Sequence, residues 1–351
     1  MNTNAVARAA PDAAALAAAA VPKSQFDYKP ILLLLAVMLL ALPAIGSPST
    51  WVTLTVAGLA MGLIVFIIAS GLTLVFGLMD VLNFGHGVFI AIGAFVATSV
   101  MGGLAAWSMS ADWLLNLAAI FVAMLAAMTV AGAVGLAFER VIVRPVYGQH
   151  LKQILITMGG MIVGEEIIKV IWGPQQIPLP LPEGLRGAFL LPVFGEAAAV
   201  EKYRVLAVVV GLLVFGALIW VLSRTKLGLL IRAGVQDREM VESLGYRIRR
   251  LFVGVFVVGS ALAGLGGVLW GLYQQTVVPQ IGAQVNVLLF IVIIIGGLGS
   301  TLGCFVGALL VGLMANYTGF LAPKVALFSN IALMVAVLLW RPQGLYPVTN
   351  R

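Results

Sequence analysis

Charge is what this sequence has least of. Asp, Glu, Lys and Arg make up 9% of its 351 residues against 62% apolar types, and the mean hydropathy is +1.12. So little polar material cannot cover a soluble globule, which predicts an integral membrane protein. Cysteine occurs once, at Cys304 inside an apolar run, so no disulfide framework or cysteine metal site is available and the redox compartment is left open. His86 and His150 are the only histidines and stand far apart, with no acidic cluster to complete a metal site. The pattern G-x-x-x-x-G-K-[ST] is missing, so the chain has no phosphate loop with which to hold ATP. No paired carboxylates or nucleophile triad stand out, which disfavours a membrane-embedded enzyme.

What is present is a series of apolar runs. A span needs roughly 20 apolar residues to cross about 30 Å of hydrocarbon. Runs fall at about 31–45, 52–79, 87–103, 114–138, 153–172, 205–222, 251–274, 285–298, 303–319 and 325–340. The expected fold is therefore all-α and polytopic, with about ten (eight to ten) transmembrane or partial helices. The run 285–298 is short for a full crossing and ends in GGLGSTLG, while 52–79 is long and interrupted at Ser70-Gly71, so broken or partial spans are expected in both. Residues 1–30 read as an Ala-rich tail carrying Arg8, Lys23 and Lys29, not as a cleaved signal peptide. Residues 31–345 form one membrane domain.

The net charge of +7 would suggest nucleic acid in a soluble protein, but these basic residues lie in loops between apolar runs, and no nucleic-acid partner is expected. With both termini cytoplasmic and ten crossings, Arg140, Arg144, Lys152, the cluster 224–250 and Arg341 all fall inside. The outward connections 46–51, 104–113 and 275–284 then lack Lys and Arg, as the positive-inside rule asks. An eight-span count keeps the same orientation. The outward loop 173–203 holds Pro174, Pro178, Pro180, Pro182 and Pro192, which argue against a regular helix; it suits an external docking surface or a plain cap. Five runs on each side of it would make the halves inverted repeats, although they do not visibly align.

Glycine marks helix packing. Gly259, Ala263, Gly267 and Gly271 recur every four residues, and Gly303 and Gly307 repeat the spacing, so each set lets another helix approach closely, as a moving interface or as simple packing. Ionisable groups within runs are few. Glu165 precedes Lys169 by four residues, the orientation of a helical ion pair, with Glu166 beside it. Asp80 and His86 flank NFG in GLMDVLNFGHG, which predicts a break between two spans and makes His86 a candidate gate or a buried turn residue.

Residues 224–250 concentrate seven Lys/Arg and three Asp/Glu. Leu229, Leu230, Ala233, Met240, Val241 and Leu244 can supply one side of an amphipathic helix, with Arg232, Asp237, Arg238, Glu239 and Glu242 facing water or a partner and Gly245 ending it. Mixed charge fits a protein partner better than an anionic membrane surface.

Five segments in order, GLTLVFGLMDVLNFGHG with AIGAF, ERVIVRPVYG, RAGVQDREMVESLGYRIRRLFVGVFVVGSALAGLGGVL, GGLGSTLGCFVGALLVG and RPQGLYP, resemble permease subunits of ABC importers for branched-chain amino acids, more closely LivH-type than LivM-type. The resemblance covers about residues 52 to 347. It implies that the segment like 228–245 is a coupling helix seated on a cytoplasmic ATPase, with Arg232, Asp237, Arg238, Glu239, Glu242 and Gly245 as coupling residues. Met240 and Val241 stand where the general importer loop has two alanines. It further implies a second homologous permease, two ATPases that carry ATP and magnesium, a periplasmic solute-binding protein, and a lipid-embedded place in the bacterial inner membrane. Cargo would be branched-chain amino acids, or urea, short amides or aromatic acids. Asn83, His86, Gly87, Asn286, Gly296, Gly297 and Gly299 are the candidate path or gate residues. A stand-alone secondary transporter or channel is the rival class, with Glu165/Glu166 as its candidate ion site.

Overall fold

The computed structural model describes residues 27–236 and 238–347. Among them, ten helices follow the ten apolar runs and two short ones fill the charged segment. They are α1 (Lys29–Ile45), α2 (Pro48–Met79), α3 (His86–Gly103), α4 (Trp113–Phe138), α5 (His150–Trp172), α6 (Lys202–Arg224), α7 (Lys226–Gln236), α8 (Arg238–Ser243), α9 (Ile248–Gln274), α10 (Ile281–Gly296), α11 (Thr301–Leu321) and α12 (Ala326–Trp340). Six of these, α2, α3, α4 with its extension to Val146, α6, α9 and α11, are long and apolar enough to cross a membrane. The chain is an all-α, multi-pass membrane protein.

Local sequence sets the helix ends. Ser47 accepts the Thr50 N–H at the start of α2, with Pro48 in the first turn, where its missing N–H costs nothing. Ser300 accepts the Gly303 N–H in the same way at the start of α11. Contrary to the break expected at Ser70-Gly71, α2 is continuous over 32 residues, about 48 Å at 1.5 Å per residue. Ser70 Oγ donates to Ile67 O within the helix, at 2.7 Å. Gly71 serves packing instead, since a Cβ there would lie 2.3 Å from Gly259 O.

Contacts between distant segments sort the connections into two ends. At one end, which carries most of the basic residues, Asp80 lies 3.8 Å from His150. Gly77 packs on Gly299 there, and the Leu345 N–H donates to Ile295 O at 2.9 Å. Arg341 pairs with Asp27 at 2.6 Å, so the first and last described helices begin and end together. At the opposite end the Gly184 N–H donates to Asn116 Oδ1 at 2.9 Å. There β1 (Ile177–Pro178) pairs antiparallel with β4 (Thr276–Val277), and β2 (Ala188–Val193) pairs with β3 (Glu196–Glu201) as a hairpin. The proline-rich loop therefore folds into strands rather than helix.

Lipid supplies little hydrophobic drive between helices, so close backbone packing must hold them. Antiparallel α2 and α9 cross where Gly71 and Gly259 each occupy the space of the other's absent side chain. Gly58 and Gly62 of α2 meet α11 at Leu313 and Ala308, while Gly135 of α4 meets Ser260 of α9. Each of α2 and α9 is followed by a connector that folds back along the bundle, one from each end.

Candidate coupling segment and interior break

Two places carry the candidate residues. The first is the charged segment at the basic end. Thr225 Oγ1 accepts the Gly228 N–H at 3.3 Å, and Gly228 is required because a Cβ there would stand 2.1 Å from Leu222 O. The Arg232 guanidinium donates to the same Leu222 carbonyl. This links α7 to the last turn of α6, whose free carbonyls favour a cation. Ile231 and Val241 are buried, and Gly234 faces Ile248 at the start of α9. Gly245, at φ +86°, closes α8: its N–H donates to Glu242 O at 3.0 Å and the Tyr246 N–H reaches Val241 O at 3.3 Å. Those two bonds form a Schellman stop, which favours glycine at the left-handed position.

The apolar side differs from the expected one. Leu229, Met240 and Leu244 are exposed rather than packed, as are Leu227 and Tyr246. The reason is the anchoring at Leu222 and Ile248, which turns Ile231, Gly234 and Val241 inward and leaves the leucines on the outer side with Glu242. Asp237 lies outside the described residues, as do the side chains of Arg238 and Glu239.

The second place is the break after α2. The αL residue Asp80 (φ 52°) ends the helix, and residues 80–85 return into the bundle. His86 Nε2 comes 3.1 Å from Ile68 O, a carbonyl eleven residues and roughly 16 Å back from the end of α2. The backbone of this segment is held from two sides. Phe84 N–H donates to Thr157 Oγ1 of α5 at 3.2 Å, and Asn286 Nδ2 of α10 donates to Phe84 O at 2.9 Å. The Phe84 ring stacks on Phe290 at 4.6 Å. Asn83 is fully buried, and neither end of its amide meets a protein partner among the described residues.

Gly87 and Gly282, the second residues of α3 and α10, occupy each other's side-chain space: a Cβ on either would lie 2.7 or 2.1 Å from the other's carbonyl oxygen. The connectors from the two ends thus meet backbone to backbone. Glu165 of α5 lines a small crevice here with Met161 and Pro279. It pairs with Lys169 at 2.9 Å, and Glu166 pairs with the same lysine at 2.7 Å, as the helical spacing predicts.

The structure therefore gathers Asn83, His86, Gly87 and Asn286, and places Gly296, Gly297 and Gly299 elsewhere, at the basic end of α10. Gly297, at φ +97°, and Gly296 lie against the RPQGLYP segment, whose Leu345 and Tyr346 N–H groups cap Ile295 O and Gly296 O. Gly299 packs on Gly77. The glycine face of α9 divides among neighbours: Gly259 meets α2, Gly267 meets Ile90 and Ala94 of α3, and Gly271 meets Leu179 and Val277. Ala263 is fully buried between them. Gly303 packs on Gly296, and Gly307 on Val292. Thr157 and Phe84 hold the break without any local signal in sequence, because their bond spans 73 residues.

Comparison with known proteins agrees with this architecture. Residues 54–338 match the family model described as branched-chain amino acid transport system / permease component. The chain is 32% identical over 298 residues to the high-affinity branched-chain amino acid transport system permease protein BraD of Pseudomonas aeruginosa, covering 83% of this chain and 94% of that one. It is 29% identical to LivH of Escherichia coli K12, covering 82% of this chain and 92% of that protein. LivM of the same organism is 28% identical, covering 94% of this chain and 78% of LivM, and is the weaker match. No solved structure matches. With the family model spanning most of its length, the chain belongs to the branched-chain amino acid transport permease family, on the LivH rather than the LivM side.

Proposed function

We propose that this chain is one of two transmembrane permeases in an ATP-driven importer, passing branched-chain or related amino acids delivered by a periplasmic binding protein. What supports the cargo class is the family match over residues 54–338; urea, short amides and aromatic acids are the alternatives within the same importer class. The second permease is a LivM-like chain, and ATP with magnesium is bound and hydrolysed on two separate cytoplasmic ATPases. The basic end faces the cytoplasm of a bacterial inner membrane, because Arg140, Arg144, Lys152, Arg341 and the cluster 224–250 lie there.

The observation that carries the coupling role is the anchored pair α7–α8. It is tied to the membrane bundle through Arg232, Gly228 and Ile248, yet turns Leu229, Met240 and Leu244 outward. A rigid element with an exposed apolar stripe and mixed charge transmits a push from a bound partner to α6 and α9. Movement of those helices bears on the Gly87–Gly282 contact, where the two connectors meet, and so on the path between the permeases.

Co-purification with the candidate ATPases tests this reading. Wild type is expected to retain the ATPase, and a Glu239→Arg, Leu244→Asp variant that still inserts in membranes is expected to lose it. Equal retention by both would remove the coupling assignment. Substrate uptake by the purified chain in liposomes without any ATPase would favour a secondary transporter.

A further inference from the structure

The hairpin β2–β3 has a tip that a soluble loop would not choose. Its two turn residues, Phe194 and Gly195, both have positive φ, +47° and +88°, the geometry of a type I′ turn, in which Asn, Asp and Gly are favoured. A phenylalanine there costs about 1–2 kcal/mol of backbone strain, and its side chain earns nothing back within the protein, being 94% exposed. Phe189, Leu190 and Leu191 are exposed as well, and no charged residue occurs from Gly187 to Gly195.

The tip is held at a defined level. Glu196, cross-strand partner of Val193, accepts hydrogen bonds from Ser49 Oγ at 2.5 Å and Ser47 Oγ at 3.0 Å. Ser47 lies in the turn between α1 and α2. α1 has 17 residues, about 25 Å of helix, and exposes Leu32, Leu35, Leu39 and Leu40 along its length. Its start lies with Asp27 and Arg341 at the basic end, so its far end falls at or just inside the opposite margin of a hydrocarbon layer about 30 Å thick. The hydrogen bonds from Ser49 and Ser47 hold the Glu196 carboxyl below its usual range, so the latch is ionised beside the uncharged tip.

We propose that the hairpin tip 189–195 is an interfacial lipid anchor, with Phe194 inserted at the boundary between acyl chains and headgroups of the outer leaflet. The apolar exposure favours lipid over a protein partner because it lies on both faces. Leu191 and Phe189 pair with Ala198 and Val200, which are buried against the bundle, while Leu190 pairs with Ala199 on the other face. The bundle covers the inner face at Ala198 and Val200, and the apolar exposure left over runs from the half-exposed Phe189 and Leu191 around the tip at Phe194 to Leu190 on the outer face, a wrap that suits a bilayer margin better than one flat protein contact. Aromatic side chains at this level, flanked by Glu196 and by Lys202, which lies 5.9 Å over the Phe189 ring, match the composition of membrane interfaces. The anchor would fix the hairpin, and through Ser47 and Ser49 the start of α2, at constant depth while other helices move.

The test uses the lone, buried Cys304 to advantage. In a full-length Cys304→Ala background, Phe194→Cys and, as an aqueous reference, Glu183→Cys are each labelled with a nitroxide and placed in phosphatidylcholine/phosphatidylglycerol vesicles. Power saturation then compares collision with oxygen and with a water-soluble nickel chelate. Expected is a preference for oxygen at 194 and for nickel at 183, unchanged by adding the binding protein. A nickel preference at 194 equal to that at 183 overturns the proposal. So does a label that becomes shielded only when the binding protein or the second permease is added. A companion Phe194→Asn variant guards against misfolding, since asparagine suits the left-handed position: its thermal midpoint in detergent should match or exceed wild type. A loss there would mean that Phe194 packs within the protein, also overturning the proposal.

Discussion

Replacing Gly267 by alanine is the sharpest test of how this bundle is packed. The added methyl would stand 2.1 Å from Ile90 O, 3.0 Å from Ile90 C and 3.2 Å from Ala94 N. Comfortable contacts begin at about 3.5 Å, so α3 and α9 must separate by more than about 1 Å. All three obstructing atoms are backbone, and no rotamer change can relieve them. Overpacking of a tight core costs typically 1–3 kcal/mol, and the backbone clash puts this case at about 3. Removing a helical glycine returns about 1 kcal/mol, for a net loss of about 2 kcal/mol. Gly254 lies on the same helix with nothing within 4 Å of its Cβ position, so Gly254→Ala keeps only the gain. The two variants should therefore differ by about 3 kcal/mol, which reads as roughly 5 °C or more between thermal midpoints in one detergent at one scan rate. Equal midpoints would refute the backbone-contact reading of the α3–α9 crossing.

Three further outcomes follow from the same geometry. Gly245→Ala meets no clash but forces φ +86° on a side chain, at about 1–2 kcal/mol. It should loosen α8 and weaken ATPase retention in a pull-down, while Gly245→Asn keeps most of it; equal retention by both would argue against the Schellman stop. Thr157→Val leaves the half-buried Phe84 N–H without its partner and should cost about 1 kcal/mol of stability, with Thr157→Ser close to wild type in the same thermal assay. Asp27 is held below its ordinary value of 3.8 by the Arg341 hydrogen bond, then by the Lys29 N–H. A depressed carboxylate stabilises the fold above its ordinary value and loses that contribution as pH falls through the depressed one. The stability difference between wild type and Asp27→Asn should therefore be full near neutrality and shrink below about pH 3.8; a difference that grows on acidification would contradict the clasp.

The apolar runs were enough to place ten helices, because a continuous apolar stretch set in protein or lipid must satisfy its backbone hydrogen bonds within itself. The break at NFG and the stop at Gly245 were legible too, since both rest on local backbone chemistry. Ser70-Gly71 misled for a physical reason: glycine marks either a bend or a close approach, and only the partner Gly259, 188 positions away, decides which. The outward turn of Leu229, Met240 and Leu244 was hidden for the same reason. Amphipathic spacing names two faces of a helix, but the bonds from Arg232 and Gly228 to Leu222 and Thr225 choose which one the bundle takes. Thr157, Asn286 and Phe84 come together only through tertiary structure.

The pairing of Asp27 with Arg341, reinforced by the Tyr346 hydroxyl donating to Asp27 O at 2.7 Å, closes the described chain almost into a ring. A gene rearranged so that a short linker joins residue 347 to residue 27 would encode the same set of neighbours. New ends could open in the exposed turn 109–112, at the other side of the bilayer. Such a permuted chain would have to insert its segments in a different order, separating the order of synthesis from the order of packing.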